Sequence, residues 1–390
     1  MSEEELSAKP GELAGQSVRQ EPTAAVVPSV QRQWVSIPGG SCDVRLGHGV
    51  MGQAAAILRT AVGRPQACAL LVGEGSDEGQ VELMRRELTS AGFLVDRIDL
   101  PGQAPARQLS CQVMLLERLD GARITSDDLV VAMGDVDMLC AAVSACASWC
   151  GGVALACVPR DLDAMLEVAP TPRGIDLASH GEMLTAKACC RYLLCDLDHM
   201  ELSVGAEPTR LALALMVSTA MAESEQAFSR LWDRSIQIAE GDEDALAEQA
   251  LDTLKSRGHI VSSTALAVRQ SISYGSELAR ALARLVDESP STLLAEGLRF
   301  SARISAGEGK LPVDDVFAQD DLLERLGLPA LRSAPAAEDV VRELKEERFL
   351  RTRRFLLALP QVLGRVRLSS VDDDLLLEHV QAWCGSRESA

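Results

Sequence analysis

Aromatic side chains are scarce. Four Trp, two Tyr and six Phe make up 3% of 390 residues. The core must therefore be built from Ala, Leu and Val. Positive charge is also in deficit, with 38 Lys and Arg against 57 Asp and Glu, a formal net charge of −19. Nucleic acid and anionic membrane surfaces both call for cationic excess, so neither partner is expected. A small local anion pocket stays open. Histidine is rarer still, five in all: His48, His180, His199, His259 and His379. No CxxC pair occurs among the 11 cysteines, and no Cys/His set has zinc spacing. Seven cysteines lie between Cys140 and Cys195. With an odd total and no secretory signal they read as buried, reduced thiols in a cytoplasmic protein. Cys146 and Cys150, one helical turn apart, are candidates for a shared face.

Residues 1–30 are polar, with three prolines and an acidic start, and lack a basic segment followed by an apolar one. A disordered tail is expected over 1–32. The run Met138 to Pro159 carries no charge for 22 residues, enough to cross a bilayer. Gly151-Gly152 and the abundance of Ala, Cys and Ser point instead to a buried helix, a turn and a buried strand.

Hydrophobic residues reach 47%, as in a folded globular protein, and the length exceeds what one core usually holds. Strand and helix signals alternate from residue 34 to about 197. They include strands at "ACALLVG", "FLVDRIDLP", "LVVAMG", "VALACVP" and "YLLCDL". This alternation predicts an α/β domain over 33–200 with a parallel sheet and crossover helices. Helical periods then dominate at 208–238, 242–257, 261–286, 290–306, 314–326 and 337–350. They predict an α-helical domain over 201–390, with a late hairpin near "RRFLLALP".

Several stretches, in this order and at these intervals, resemble the 3-dehydroquinate synthase family of sugar-phosphate cyclases. They are "SCDVRLGHGV", "ELTSAGFLVDRIDLPGQAPARQL", "DDLVVAMGDVDMLCAAVSACASWCGGVALACVP", "YLLCDLDHM" and "LALPQVLGRVRLSSVDDDLLLEHV". The resemblance implies a Rossmann-like sheet domain followed by a helical one. It also implies NAD, a divalent metal such as zinc or cobalt, and conversion of 3-deoxy-arabino-heptulosonate 7-phosphate to 3-dehydroquinate. Such chemistry needs a held nicotinamide, a Lewis acid and cations for the phosphate.

Against that pattern the chain departs at most functional positions. The three-glycine phosphate loop reads Gly134-Asp135-Val136, and the acidic residue six positions after the first glycine is Cys140. The Pro-Thr-Thr after the next strand reads Pro159-Arg160-Asp161. The Glu-x-x-Lys loop reads Ala104-Pro105-Ala106-Arg107. Gly134 and Arg107 thus remain as vestiges of cofactor binding. The substrate loop maps near Thr171-Pro172-Arg173 and the late Asp-Lys-Lys near Lys345-Glu346-Glu347. Asp135 and Asp161 read as solvated turn or cap residues, Arg107 and Arg173 as surface charges.

The family's metal-binding Glu, with a catalytic Lys three residues later, falls in "LALALMVSTAMA". Leu211 through Ala222 contains no charge, whatever the register. The two metal-binding His positions read Ser276, with Arg280 at the second His of that motif, and Leu294, with Glu296 two residues on. His180 and His199, with Glu182, Asp196 and Asp198, match no standard metal spacing. No catalytic residue, metal ligand or cofactor is therefore expected for this chain. Three readings follow. One is a non-catalytic member, a homodimer or a heterodimer with an active paralogue. Another is a divergent but working 3-dehydroquinate synthase. The third is a sugar-phosphate-binding or regulatory subunit.

Overall fold

The computed structural model describes residues 30–100 and 105–388. The expected tail lies outside them except at its end. There β1 (Gln31–Ile37) begins, with Arg32 donating twice to Asp43 of β2 (Gly40–Gly47). The two strands pair antiparallel around a Pro38-Gly39 turn. The chain continues through α1 (Ala54–Leu58), β3 (Ala67–Val72), α2 (Glu78–Ser90), β4 (Leu94–Asp99) and α3 (Leu109–Gly121). Next come β5 (Leu129–Gly134), α4 (Val136–Ser148), β6 (Ala154–Pro159), α5 (Leu162–Glu167) and β7 (Cys190–Asp196). The seven strands form one sheet in the order β1-β2-β7-β6-β5-β3-β4, parallel everywhere except β1. Strands β5 and β6 are buried at every residue, which explains their unbroken apolar runs. The uncharged stretch from Met138 resolves into α4, a turn at Trp149–Gly151 and β6. Among the described residues no helix is long and apolar enough to cross a membrane.

After β7 the chain turns helical. The long period at 208–238 is two helices, α6 (Glu207–Glu223) and α7 (Glu225–Ala239), because Ser224 breaks the first and caps the second. Then follow α8 (Glu243–Ser262), α9 (Leu266–Arg269), α10 (Ser276–Leu282), α11 (Pro290–Gly307), α12 (Val313–Arg325) and α13 (Ala337–Arg351). The hairpin β8 (Leu357–Val362) and β9 (Arg365–Ser369) precedes α14 (Asp373–Glu388). The expected division at 200/201 falls between β7 and α6. The largest core, however, runs through both halves, from Val35 on β1 to Leu213 on α6 and Leu254 on α8. Helix α8 can lie on the edge strand only because residue 258 is glycine. A Cβ there would stand 2.5 Å from the Ser36 carbonyl oxygen.

Ten cysteines are buried or half-buried and Cys150 is exposed. Cys146 and Cys150 do not share a helix face. Helix α4 ends at Ser148, and Cys150 sits exposed in the following turn at φ 50°.

Candidate functional site

Strands β5 and β6 deliver Gly134 and Pro159 to the carboxyl edge of the sheet, where parallel α/β folds place ligands. At Gly134 that edge is filled. Asp135 caps α4, its Oδ1 accepting the Met138 backbone N–H at 2.9 Å. Asp137 adds a second carboxylate in the first helical turn. One of the N-terminal amides that a pyrophosphate would need is thus turned to a carboxylate of the chain itself, and the helix end already carries two negative charges. The Met138 side chain packs against both glycine loops, 2.9 Å from where a Cβ of Gly73 or of Gly134 would stand. Arg160 spans the remaining gap, its Nη1 donating to the Glu74 carbonyl at 3.0 Å and its Nη2 3.4 Å from Asp135. What is left is a cavity of about 20 Å³. A dinucleotide site is typically several hundred Å³. The residues present do not fit NAD.

Arg107, the other vestige, is not a surface charge. Its side chain is 14% exposed and lies 2.7 Å from Asp137, 3.1 Å from Asp176 and 3.6 Å from Glu182. Its former loop partner, Ala104, is outside the described residues. Arg173 is likewise enclosed, held by Glu167, Asp163 and Asp137. Asp161 is buried rather than solvated, beside Asp163. Burial first, then the Asp161 charge, raises the Asp163 carboxyl far above the usual range. Cys140 accepts the Arg173 backbone N–H at 3.2 Å, and burial pushes its thiol up to about 12. For Arg107 and Arg173 the reason is that the segment after α5 folds back against α3 and α4, and for Asp161 that it forms a β-bridge with Glu201, neither of which sequence periodicity reveals.

Between α5 with that segment on one side and α6, α8, α10 and α11 on the other lies a cleft of about 700 Å³. It is the size of a small-molecule site. Ser276 and Leu294, named above for the family's metal-binding histidines, line it, and so does Leu215 of the uncharged stretch in which the family's metal-binding Glu falls. Ser218, three residues after Leu215, lines it too and donates to the Tyr274 carbonyl at 2.9 Å. Two glycines lock this wall together. Gly275 (φ +83°) begins α10, and a Cβ on Gly297 of α11 would stand 1.9 Å from its carbonyl oxygen. Leucine offers no lone pair, so the donor set of Leu215, Ser276 and Leu294 does not fit a divalent ion. Among the described residues no group of three or more His, Cys, Asp or Glu is arranged for a metal.

His199 lines the small cavity at the sheet edge, and the other candidate ligands have structural partners. His48 Nδ1 is 2.7 Å from Asp198, and Asp196 accepts the Gly49 and Met51 backbone N–H groups. His180 pairs with Ser179, while Glu182 turns to Arg107. Glu296, fully buried, accepts from the Leu331 backbone N–H, Trp383 and Arg387, and so anchors α14.

One residue escaped the sequence reading. Arg257 of α8 is 3% exposed and lines the cleft. Its Nη2 donates to Thr171 at 2.6 Å and its Nη1 to Thr219 at 3.2 Å, while its Nε has no acceptor. Burial disfavours its charged form; the Glu167 carboxylate opposes this and the Arg173 charge adds to it. The signal was present: Ala250, Leu254, Arg257 and Val261 form one helical stripe, apolar but for the arginine.

No family model matches the chain. Among curated proteins it is similar to the 3-dehydroquinate synthase of Arthrobacter sp. (strain FB24). The two are 25% identical over 74% of this chain and 79% of that one. It is also similar to the 3-dehydroquinate synthase of Saccharopolyspora erythraea, 23% identical over 89% and 93% of the two chains. Among solved structures, 2-deoxy-scyllo-inosose synthase complexed with carbaglucose-6-phosphate, NAD+ and Co2+ superposes with a TM-score of 0.77. It is 15% identical and covers 90% of this chain and all of its own.

Proposed function

Since the chain belongs to the family of 3-dehydroquinate synthases and related sugar-phosphate cyclases, we propose that it is a non-catalytic member. In this reading it keeps the interdomain cleft, holds neither NAD nor a divalent metal, and acts as a binding or regulatory subunit. A homodimer or a heterodimer with an active paralogue is the corresponding assembly. The observation that carries the reading is the convergence of Leu215, Ser276 and Leu294 on one wall. A family member would place its Lewis acid there. Without that ion neither oxidation of the hydroxyl nor polarisation of the ketone has its stabilising charge. Capping of α4 by Asp135 adds support on the cofactor side.

One observation favours a second reading, a divergent working cyclase. Five arginines, Arg107, Arg173, Arg257, Arg280 and Arg351, still line the cleft. Four of them are held by carboxylates of the chain, which weighs against their serving as a phosphate clamp. The test is phosphate release from 3-deoxy-arabino-heptulosonate 7-phosphate by the purified protein with NAD and zinc or cobalt. No release above background is expected. Steady turnover that disappears with the protein would establish the second reading.

A further inference from the structure

We propose that the cleft binds a monocarboxylate with an apolar body, and that Arg257 receives the carboxylate. The charges set the first half of this assignment. Arg107 and Arg173 each face several carboxylates, and Arg280 and Arg351 share Glu347. The carboxylate nearest Arg257 is Glu167, 3.9 Å away and already held by Arg173. The direct partners of Arg257 are two neutral threonine hydroxyls, and its Nε has none. A buried cation whose one nearby carboxylate is distant and shared with a second arginine is under-compensated, and an arriving anion offsets that cost. One such cation matches one negative charge, not a phosphate dianion.

The walls set the second half. Leu211, Leu215, Ile272, Val286 and Leu294 line the cleft. The polar side chains of the lining, such as Ser218, Ser276 and Glu288, leave this apolar stretch without hydrogen-bond partners, so a ligand that lays hydroxyls along it loses their hydrogen bonds to water. A ring or short alkyl body loses nothing there, and about 700 Å³ is ample for it. The inference rests on the non-catalytic reading only in taking Leu215 and Leu294 as walls rather than as part of a reaction centre.

The experiment is calorimetric titration of the full chain in EDTA, without NAD, with four probes. 4-Phenylbutyrate carries both features, 4-phenyl-1-butanol lacks the charge, D-gluconate lacks the apolar body, and glucose 6-phosphate is the polar dianion. 4-Phenylbutyrate is expected to bind at least about tenfold more tightly than each of the others, the scale of one charge-assisted hydrogen bond. Arg257→Gln should abolish the preference for the acid over the alcohol. Leu294→Trp, which leaves Arg257 in place but fills the cleft, should abolish binding while circular dichroism shows the fold intact. Absence of 4-phenylbutyrate binding, equal or tighter binding of gluconate or glucose 6-phosphate, or unchanged affinity in folded Arg257→Gln or Leu294→Trp overturns the inference. None of these outcomes touches the non-catalytic reading, which falls only to metal- and NAD-dependent phosphate release.

Discussion

Arg280 Nε donates to Glu347 Oε1 at 2.7 Å, joining α10 to α13 beside the cleft. By the family resemblance, the first stands where a histidine is expected and the second near a basic pair. The two departures compensate each other: a new cation meets a new carboxylate. Arg284 and Arg351 complete the cluster around Glu347, which is 1% exposed.

Glu347→Gln should therefore destabilise the protein by about 3 kcal/mol at neutral pH, since it leaves partly buried guanidinium groups without their anion. Burial raises the Glu347 carboxyl, but hydrogen bonding from Arg351 and the charges of Arg280 and Arg351 outweigh it and hold it below the usual range. A depressed carboxyl contributes stability above its unfolded value, about pH 4.3, and loses it as pH falls through the folded one. The gap between variant and parent should be widest at neutral pH and close in acid. Urea denaturation at pH 7 and below pH 4 measures it; a gap that widens in acid contradicts the assignment.

NAD should not bind. Asp135 accepts the Met138 amide at the start of α4, and the Met138 side chain packs the space beside Gly73 and Gly134. Isothermal titration at millimolar NAD should give no heat beyond dilution. A micromolar dissociation constant would show that this edge of the sheet opens.

Zinc, cobalt and EDTA should leave the melting temperature unchanged. An ion bound only by the folded form at a hundredfold excess over its dissociation constant adds about 2.7 kcal/mol, a shift of several degrees. A rise on zinc addition that EDTA reverses would revive the enzyme reading.

Leu213→Glu should destabilise by about 3 kcal/mol, because the site is fully buried within the apolar core. Equilibrium urea unfolding reads this directly. A neutral effect would mean that this face of α6 is reachable by solvent.

The alternation of apolar runs and helical periods determined the order of elements, the parallel sheet and the change to helices after β7. These are local properties of period and burial, so the chain displays them residue by residue. "LVVAMG" is β5 as read, and Leu211 to Ala222 is a helix buried all round. That Leu211 to Ala222 carries no charge was also legible, and there no shift of register supplies one. The side-chain partnerships were not. Arg107 read as a surface charge, and Glu296 as a lone remnant, because their partners lie far away in the chain, Asp176 and Trp383, while Arg173 is enclosed by Glu167 and Asp163 through a loop that has no period to read. Arg257 looked ordinary until α8 came to rest on β1 through Gly258 and brought it under Thr171, 86 residues earlier. Tertiary structure alone decides whether a buried charge is paired, because pairing depends on which distant segments the packing brings within about 4 Å.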